Sequence, residues 1–246
     1  MTDTRGGMEL LLLSNSTDHG SPYLAHARET ITGFVPARGT LAFVPYALAD
    51  HDGYTEVVRT ALAPAGITVR GVHAGGDPVA ALRGADAVFV GGGNTFRLLR
   101  DLYATGLRDA LRTAVRGGLP YMGASAGTNM AGPTIRTTND MPIVAPPSFA
   151  ALDLVPFQLN PHYVDPVPGG THMGETREQR LTEFLECNDV PVLGLREGTW
   201  LRVADGSARL GGPLDARLFR RGAAPREIAA GADVSFLLES VPVFDS

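Results

Sequence analysis

The sequence predicts an α/β domain with a mainly parallel sheet flanked by helices, a three-layer sandwich. Three observations support this fold class. Short apolar runs alternate with amphipathic stretches in the first half, Gly and small polar residues follow the apolar runs, and the 246 residues are 44% hydrophobic and 19% charged. Near-continuous apolar strands between helices are typical of a parallel sheet covered on both faces. We find no internal repeat or linker, so we expect one domain spanning 1–246.

The first half of the chain supplies most of the predicted sheet. Strands are predicted at 9–13, 41–45, 67–72, 87–90 and 120–123. Helices are predicted at about 22–33, 53–63, 77–84 and 95–116, the last broken near Gly106. In open α/β sheets, ligand chemistry gathers at the carboxyl ends of the strands. We therefore look for functional residues in the turns that follow these strands.

The second half is less regular. Residues 131–175 contain many prolines and little periodicity, which indicates a long irregular insert. Such inserts often carry binding or catalytic residues. A helix is predicted from about 177 to 187, with Thr176 and Gln179 as a capping box and Cys187 buried on it. Short strands are predicted at 191–195, 199–203, 208–210, 217–220 and 234–238.

Composition excludes several classes of function. All 21 basic residues are Arg, which excludes a Schiff-base lysine and a P-loop phosphate lysine. The net charge of −5 gives no global basic field for a nucleic-acid partner. The single Cys187 excludes an intrachain disulfide and a four-cysteine zinc site. The apolar run at 10–13 is too short for a signal peptide or a membrane span, so we expect a cytoplasmic protein without a membrane partner.

The strongest local motif is the G-x-S-x-G pattern at 123–127, directly after a predicted strand. A nucleophile elbow requires this context, because the serine sits on a tight strand-to-helix turn between small residues. Ser125 is then the nucleophile, and the N–H of Ala126 points at the developing oxyanion. The alternative is an ordinary Gly-rich turn.

A second glycine-rich turn, Gly91-Gly92-Gly93-Asn94, follows the strand at 87–90. Its backbone amides suit an anion, and the N–H of Gly93 is the candidate second oxyanion donor. A dinucleotide-binding loop is the rival interpretation, but Phe96 occupies the position of its third glycine. A structural turn is the other alternative.

A serine nucleophile needs a base and a carboxylate that orients the base. His162 follows an apolar run and Pro161, which stiffens the backbone there. Asp140 and Glu197 are both candidates for the carboxylate, and both can instead be turn or surface residues. The spacing of His162, His172 and Glu175 matches no helical metal-ligand motif.

Together, several segments resemble peptidase E, the aspartyl dipeptidase family of serine peptidases. The matching segments are Leu12-Leu13-Ser14-Asn15-Ser16-Thr17, Gly91-Gly92-Gly93-Asn94-Thr95-Phe96, Gly123-Ala124-Ser125-Ala126-Gly127-Thr128-Asn129, Thr137-Thr138-Asn139-Asp140-Met141-Pro142, Leu159-Asn160-Pro161-His162-Tyr163 and Gly174-Glu175-Thr176-Arg177-Glu178. They occur in the family's order. The segment after about Trp200 resembles the family less.

The resemblance implies an α/β sandwich similar to class I glutamine amidotransferases. It implies Ser125 as nucleophile and His162 as base, with either Asp140 or Glu197 as the third member. It also implies no metal or organic cofactor, and a dipeptide substrate with N-terminal aspartate. The alternatives are a cyanophycinase-like hydrolase of β-aspartyl-arginine polymers and a non-catalytic module that binds a small molecule.

Such a substrate requires a cation for the aspartate side chain and acceptors for the free α-amine. With no Lys in the chain, Arg177 is the first candidate for the cation and Arg136 the second, because arginine matches a carboxylate bidentately. Asn94 or Asp140 is the candidate acceptor for the amine. A monomer and a homodimer are both compatible with the sequence.

Overall fold

A seven-stranded sheet forms the centre of the computed structural model, which describes residues 7–166 and 174–245. The strand order is β3-β2-β4-β5-β1-β8-β9. The first five strands in this order run parallel to one another. β8 pairs antiparallel with β1, and β9 pairs antiparallel with β8. The strands are β1 (Leu10–Leu13), β2 (Thr40–Val44), β3 (Thr68–Gly71), β4 (Ala87–Val90), β5 (Tyr121–Ala124), β8 (Trp200–Ala204) and β9 (Ser207–Gly211).

Helices cover both faces of this sheet. Leu10 and Leu12 of β1 pack into one hydrophobic cluster, and Leu11 and Leu13 pack into another, because successive side chains of a strand point to opposite faces. The cluster around Leu10 holds the buried hydrophobic residues of α3 (Thr95–Ala104), α4 (Leu107–Arg116) and α5 (Ala126–Ala131). The cluster around Leu11 holds those of α1 (Arg28–Phe34) and α2 (His51–Leu62). The predicted α/β fold with a mainly parallel sheet is confirmed.

A second, four-stranded sheet packs against the Leu10 cluster. Its order is β11-β10-β7-β6, with β6 and β7 parallel and the other pairs antiparallel. Leu159 and Leu193 face the Leu10 cluster, whereas α6 (Arg177–Cys187) covers the other face through Leu181 and Leu185. The strands are β6 (Gln158–Pro161), β7 (Val192–Leu195), β10 (Ala216–Phe219) and β11 (Arg226–Ile228).

Three predicted elements differ in the structure. The helix predicted at 77–84 is only the 3-10 turn Ala80–Leu82, because Arg83 is extended and Gly84 has a φ of 72°, which ends the helical conformation. The strand predicted at 234–238 is the 3-10 helix Ser235–Glu239, where Asp233 accepts the N–H of Ser235. The insert predicted as irregular contains β6, and β11 was not predicted.

Other predictions are confirmed. The break in the helix predicted at 95–116 falls at Gly106, which adopts a φ of 72°. Thr176 and Gln179 form the capping box of α6. Cys187, however, is exposed rather than buried, because it lies at the last turn of α6, away from Leu181 and Leu185. Within residues 7–166 and 174–245, no helix has the length and apolar character needed to cross a bilayer.

Candidate active site

Ser125 lies at the carboxyl end of β5, immediately before α5, in a strained backbone conformation with φ 53° and ψ −110°. The flanking glycines make this sharp turn sterically possible. A Cβ on Gly123 would lie 2.5 Å from the carbonyl oxygen of Gly127, and a Cβ on Gly127 would overlap the carbonyl oxygen of Val90. The predicted requirement for small residues at both positions is therefore confirmed, and the segment has the geometry of a nucleophile elbow.

Ser125, His162 and Glu197 form one hydrogen-bonded series. The Oγ of Ser125 lies 2.9 Å from Nε2 of His162, and Nδ1 of His162 lies 2.7 Å from Oε1 of Glu197. A proton on Nδ1 donated to the carboxylate leaves Nε2 as an acceptor for the serine hydroxyl. This arrangement can deprotonate Ser125 during attack on a carbonyl group.

The series joins two sheets. Ser125 follows β5 of the large sheet, whereas His162 and Glu197 follow β6 and β7 of the small sheet. Ser14, which is fully buried at the end of β1, bridges the two: its hydroxyl donates to the carbonyl of Leu195 and accepts the N–H of His162. His162 adopts a φ of 54°, so this contact holds an uncommon backbone conformation.

The neighbouring Asn15 holds the loop that carries Glu197. Its Oδ1 accepts the N–H of Gly198 at 2.8 Å, and its Nδ2 donates to Asp18 and to the carbonyl of Thr17. Sequence reasoning gave Asn15 and Ser14 no role. The available signal was a pair of polar side chains directly after a strand of four leucines, where buried polar groups need specific partners.

Two backbone donors lie beside Ser125. Gly93 has a φ of 131°, and a Cβ there would lie 2.7 Å from the carbonyl oxygen of Ala47, so the turn requires glycine. Within residues 7–166 and 174–245, the N–H groups of Gly93 and Ala126 donate to no acceptor. Unpaired amides at a strand end and a helix start can hold an oxyanion.

Ser125 and His162 open into a cleft of about 440 Å³ that is also lined by Gly93 and Asp140. Its remaining lining residues are Ser16, Tyr23, Leu48, Tyr54 and Gly92. Burial raises the pKa of the Tyr54 phenol, and burial together with the neighbouring Tyr54 raises that of Tyr23. Sequence reasoning did not identify either tyrosine as part of the site.

Asp140 lines the cleft but contacts Thr95 rather than His162. Its Oδ2 accepts the backbone N–H of Thr95 at 2.7 Å and the Thr95 hydroxyl at 2.5 Å. Its Oδ1 makes no hydrogen bond within the described parts of the chain. Asn94 caps α3 by accepting the N–H of Arg97, and it donates to the carbonyl of Met141, so its side chain braces the Asp140 loop.

The two predicted arginines lie in different surroundings. The pKa of the Arg177 guanidinium is lowered, because burial and the nearby Arg180 lower it by more than the carboxylate of Asp140 raises it. Arg177 has no ion pair in the ranges 7–166 and 174–245. Arg136 instead donates to Asn188 and to the carbonyl of Asp245 and stacks on Phe244 near the chain end.

A charged cluster fixes the residues that flank His162 and Glu197. Arg196 donates to both carboxylate oxygens of Asp165 and Glu227 and stacks on the ring of Tyr163. Its hydrogen bonds lower the pKa of both carboxyl groups. Because Tyr163 and Arg196 are the chain neighbours of His162 and Glu197, the cluster restricts the loops that present the series.

In the described part of the chain, no three His, Cys, Asp or Glu side chains are grouped so that they could hold a metal ion. His172 lies outside the described residues.

Comparisons with known proteins identify the family. Peptidase E of Streptomyces coelicolor is 73% identical over 97% of this chain and 98% of its own. The probable alpha-aspartyl dipeptidase of Drosophila melanogaster is 54% identical over 94% of this chain and 97% of its own. The crystal structure of a peptidase from an acI-B1 actinobacterium has a TM-score of 0.69 at 16% identity, covers 94% of this chain and 98% of its own, and shows the same fold. Residues 10–211 match the profile of peptidase family S51, and the chain belongs to that family.

Proposed function

We propose that this protein, as a single domain, is a serine dipeptidase that hydrolyses dipeptides with N-terminal aspartate. The observation that carries the proposal is the series Ser125–His162–Glu197 beside the unpaired N–H groups of Gly93 and Ala126. The name of the relative in Drosophila supports the substrate class, and the name of the relative in Streptomyces supports a peptidase.

The reaction proceeds by acyl transfer. Ser125 Oγ attacks the peptide carbonyl carbon while Nε2 of His162 takes the hydroxyl proton. The amides of Gly93 and Ala126 stabilise the negative charge on the carbonyl oxygen, and Glu197 stabilises the imidazolium. The C–N bond then breaks as His162 gives its proton to the leaving amine. Water, deprotonated by His162, hydrolyses the acyl-enzyme and restores Ser125.

Two opposite charges suit the N-terminal residue of this substrate. An N-terminal aspartate carries a positive α-amine and a negative side chain close together. Among the described residues, Asp140 Oδ1 accepts no hydrogen bond and Arg177 has no ion pair, and the guanidinium of Arg177 interacts electrostatically with Asp140. We infer that Arg177 binds the aspartate side chain and that Asp140 binds the amine. Asn94 then supports the site through the Asp140 loop rather than by binding the substrate.

Hydrolysis of a peptide panel tests the function. We expect wild-type protein to cleave Asp-Leu, to cleave Asn-Leu and Glu-Leu poorly and to leave acetyl-Asp-Leu intact. Ser125→Ala should lower kcat by about 10⁴-fold or more. The dipeptide β-Asp-Arg represents the cyanophycinase-like alternative. Preferred cleavage of β-Asp-Arg, or no turnover of any peptide by wild type, would contradict the proposal.

Arg177→Gln tests the specificity assignment. Because the substrate carboxylate would lose its charged partner, kcat/KM for Asp-Leu should fall by about 10²-fold or more. The loss for Asn-Leu should be much smaller, since its side chain is neutral. Arg136→Gln is the matched control, because Arg136 contacts the chain end rather than the cleft. Equal losses for the two substrates would exclude Arg177 as the carboxylate ligand.

A further inference from the structure

A pair of phenol groups lies in the cleft on the other side of the large sheet from Asp140. Tyr23 and Tyr54 pack with the Leu11 cluster, whereas α3, whose Thr95 holds Asp140, packs with the Leu10 cluster. Ser125 follows β5 at the carboxyl edge of the sheet and lines the same cleft as the tyrosines and Asp140. A substrate that crosses this edge with its N-terminal residue at Asp140 therefore directs its leaving residue toward the tyrosines.

The phenol pair has a hydrogen left to donate. The hydroxyl of Tyr54 accepts the N–H of Gly92 at 2.8 Å and lies 3.0 Å from the hydroxyl of Tyr23. One of the two phenolic hydrogens forms the bond between the tyrosines, so the other remains available. The hydroxyl of Ser16 lies next to Tyr23 and lines the same cleft.

The lining residues of this half of the cleft are uncharged, so none of them repels an anion. Asp140 is the only acidic side chain among the residues that line the cleft in the described part of the chain, and it lies on the opposite side. The hydroxyls of Ser16, Tyr23 and Tyr54 are neutral donors that cost little to desolvate compared with a charged group. Hydrogen bonds from such donors to a carboxylate are stronger than those to a neutral amide oxygen.

We propose that Tyr23, Tyr54 and Ser16 form the subsite for the free α-carboxylate of the leaving amino acid. This assignment rests on the proposed dipeptidase function and adds a binding site for the leaving residue. It restricts good substrates to dipeptides, because the leaving residue of a longer peptide carries a neutral peptide group where the carboxylate would bind. Tyr54 also fixes the amide of Gly92 next to the oxyanion donor Gly93, so Tyr23 and Ser16 are the cleaner positions to test.

The test compares Asp-Leu with Asp-Leu amide, which differ only at the C-terminal group. We expect wild-type kcat/KM to be about 10-fold or more higher for the free carboxylate. Tyr23→Phe should reduce that ratio severalfold, and Tyr23→Phe/Ser16→Ala should bring it close to one. The loss of kcat/KM in these variants should be much smaller for the amide than for the free acid. Tyr103→Phe, which removes a phenol that donates to Ala150 outside the cleft, is the matched control.

The outcomes separate this inference from the function on which it rests. Equal wild-type cleavage of acid and amide would overturn the subsite while leaving the dipeptidase intact. Equal losses for both substrates in Tyr23→Phe would also overturn it, since they would indicate a structural role in the oxyanion loop. Calorimetric titration of Ser125→Ala with each peptide checks the same ratio in binding. No cleavage and no binding of either peptide would overturn the proposed function as well.

Discussion

Replacing Glu197 with glutamine should lower kcat without a comparable rise in KM. The carboxylate lies 2.7 Å from Nδ1 of His162, so in the proposed mechanism it stabilises the imidazolium that forms as Ser125 attacks. Unit charges about 4 Å apart interact by about 1 kcal/mol in water and by about 4 kcal/mol near a protein surface. Glu197 is 57% and His162 37% exposed, so we expect an intermediate loss of about 2–3 kcal/mol. That loss corresponds to about 10²-fold in kcat.

Steady-state kinetics with Asp-Leu measure both parameters. Asp140→Asn is the informative comparison, because loss of the amine acceptor should raise KM more than it lowers kcat. Glu183→Gln, an exposed change on α6, is the matched control for loss of one negative charge. A kcat loss below about threefold for Glu197→Gln, together with a large kcat loss for Asp140→Asn, would refute our reasoning and make Asp140 the orienting carboxylate.

Two further changes test the structure around the site. Gly127→Ala should destabilise the protein by about 3 kcal/mol in urea unfolding, because the added Cβ would overlap a backbone carbonyl. Gly33→Ala, which has open space on α1, should stabilise the protein by up to about 1 kcal/mol. Equal effects of the two changes on the free energy of unfolding would contradict this interpretation. Arg196 lowers the pKa of Asp165 and Glu227, so their stabilising contribution is present above the unfolded pKa of about 4 and is lost as the pH falls through the lower folded values. Arg196→Gln should therefore lower Tm at pH 7 and have less effect below about pH 4, and a Tm difference from wild type that does not shrink in acid would contradict the assignment.

Local sequence signals predicted the large sheet well. The apolar run 87–90 coincides with β4, and the predicted helix at 177–187 coincides with α6, because periodicity and capping residues act within the segment itself. The small sheet was harder to predict. β6 ends in Pro161 within a Pro-rich insert, and its strand character comes from pairing with β7, which is distant in sequence.

In the candidate site, too, features that depend on the local sequence could be predicted, and features that depend on contacts between distant segments could not. The spacing of small residues around Ser125 is a local requirement and could be predicted. The choice between Asp140 and Glu197 as a partner of His162 depends on how β7 docks beside β6, and no local pattern encodes that register. The tyrosines of the cleft could not be predicted for a similar reason, since their place in the site depends on the tertiary structure. In the sequence, Tyr54 has the pattern of an ordinary apolar residue of α2.

Ser14 links the geometry of the candidate active site to packing outside the cleft. Ser125 follows a strand of one sheet and His162 a strand of the other, and the buried hydroxyl of Ser14 is one of the groups that connect the two sheets. We therefore expect side chains packed between the sheets, such as Leu159 and Leu193, to influence reactivity although they do not line the cleft. A ligand that loosened this packing would inhibit the protein while leaving the pocket empty, which distinguishes it from any competitor of the dipeptide.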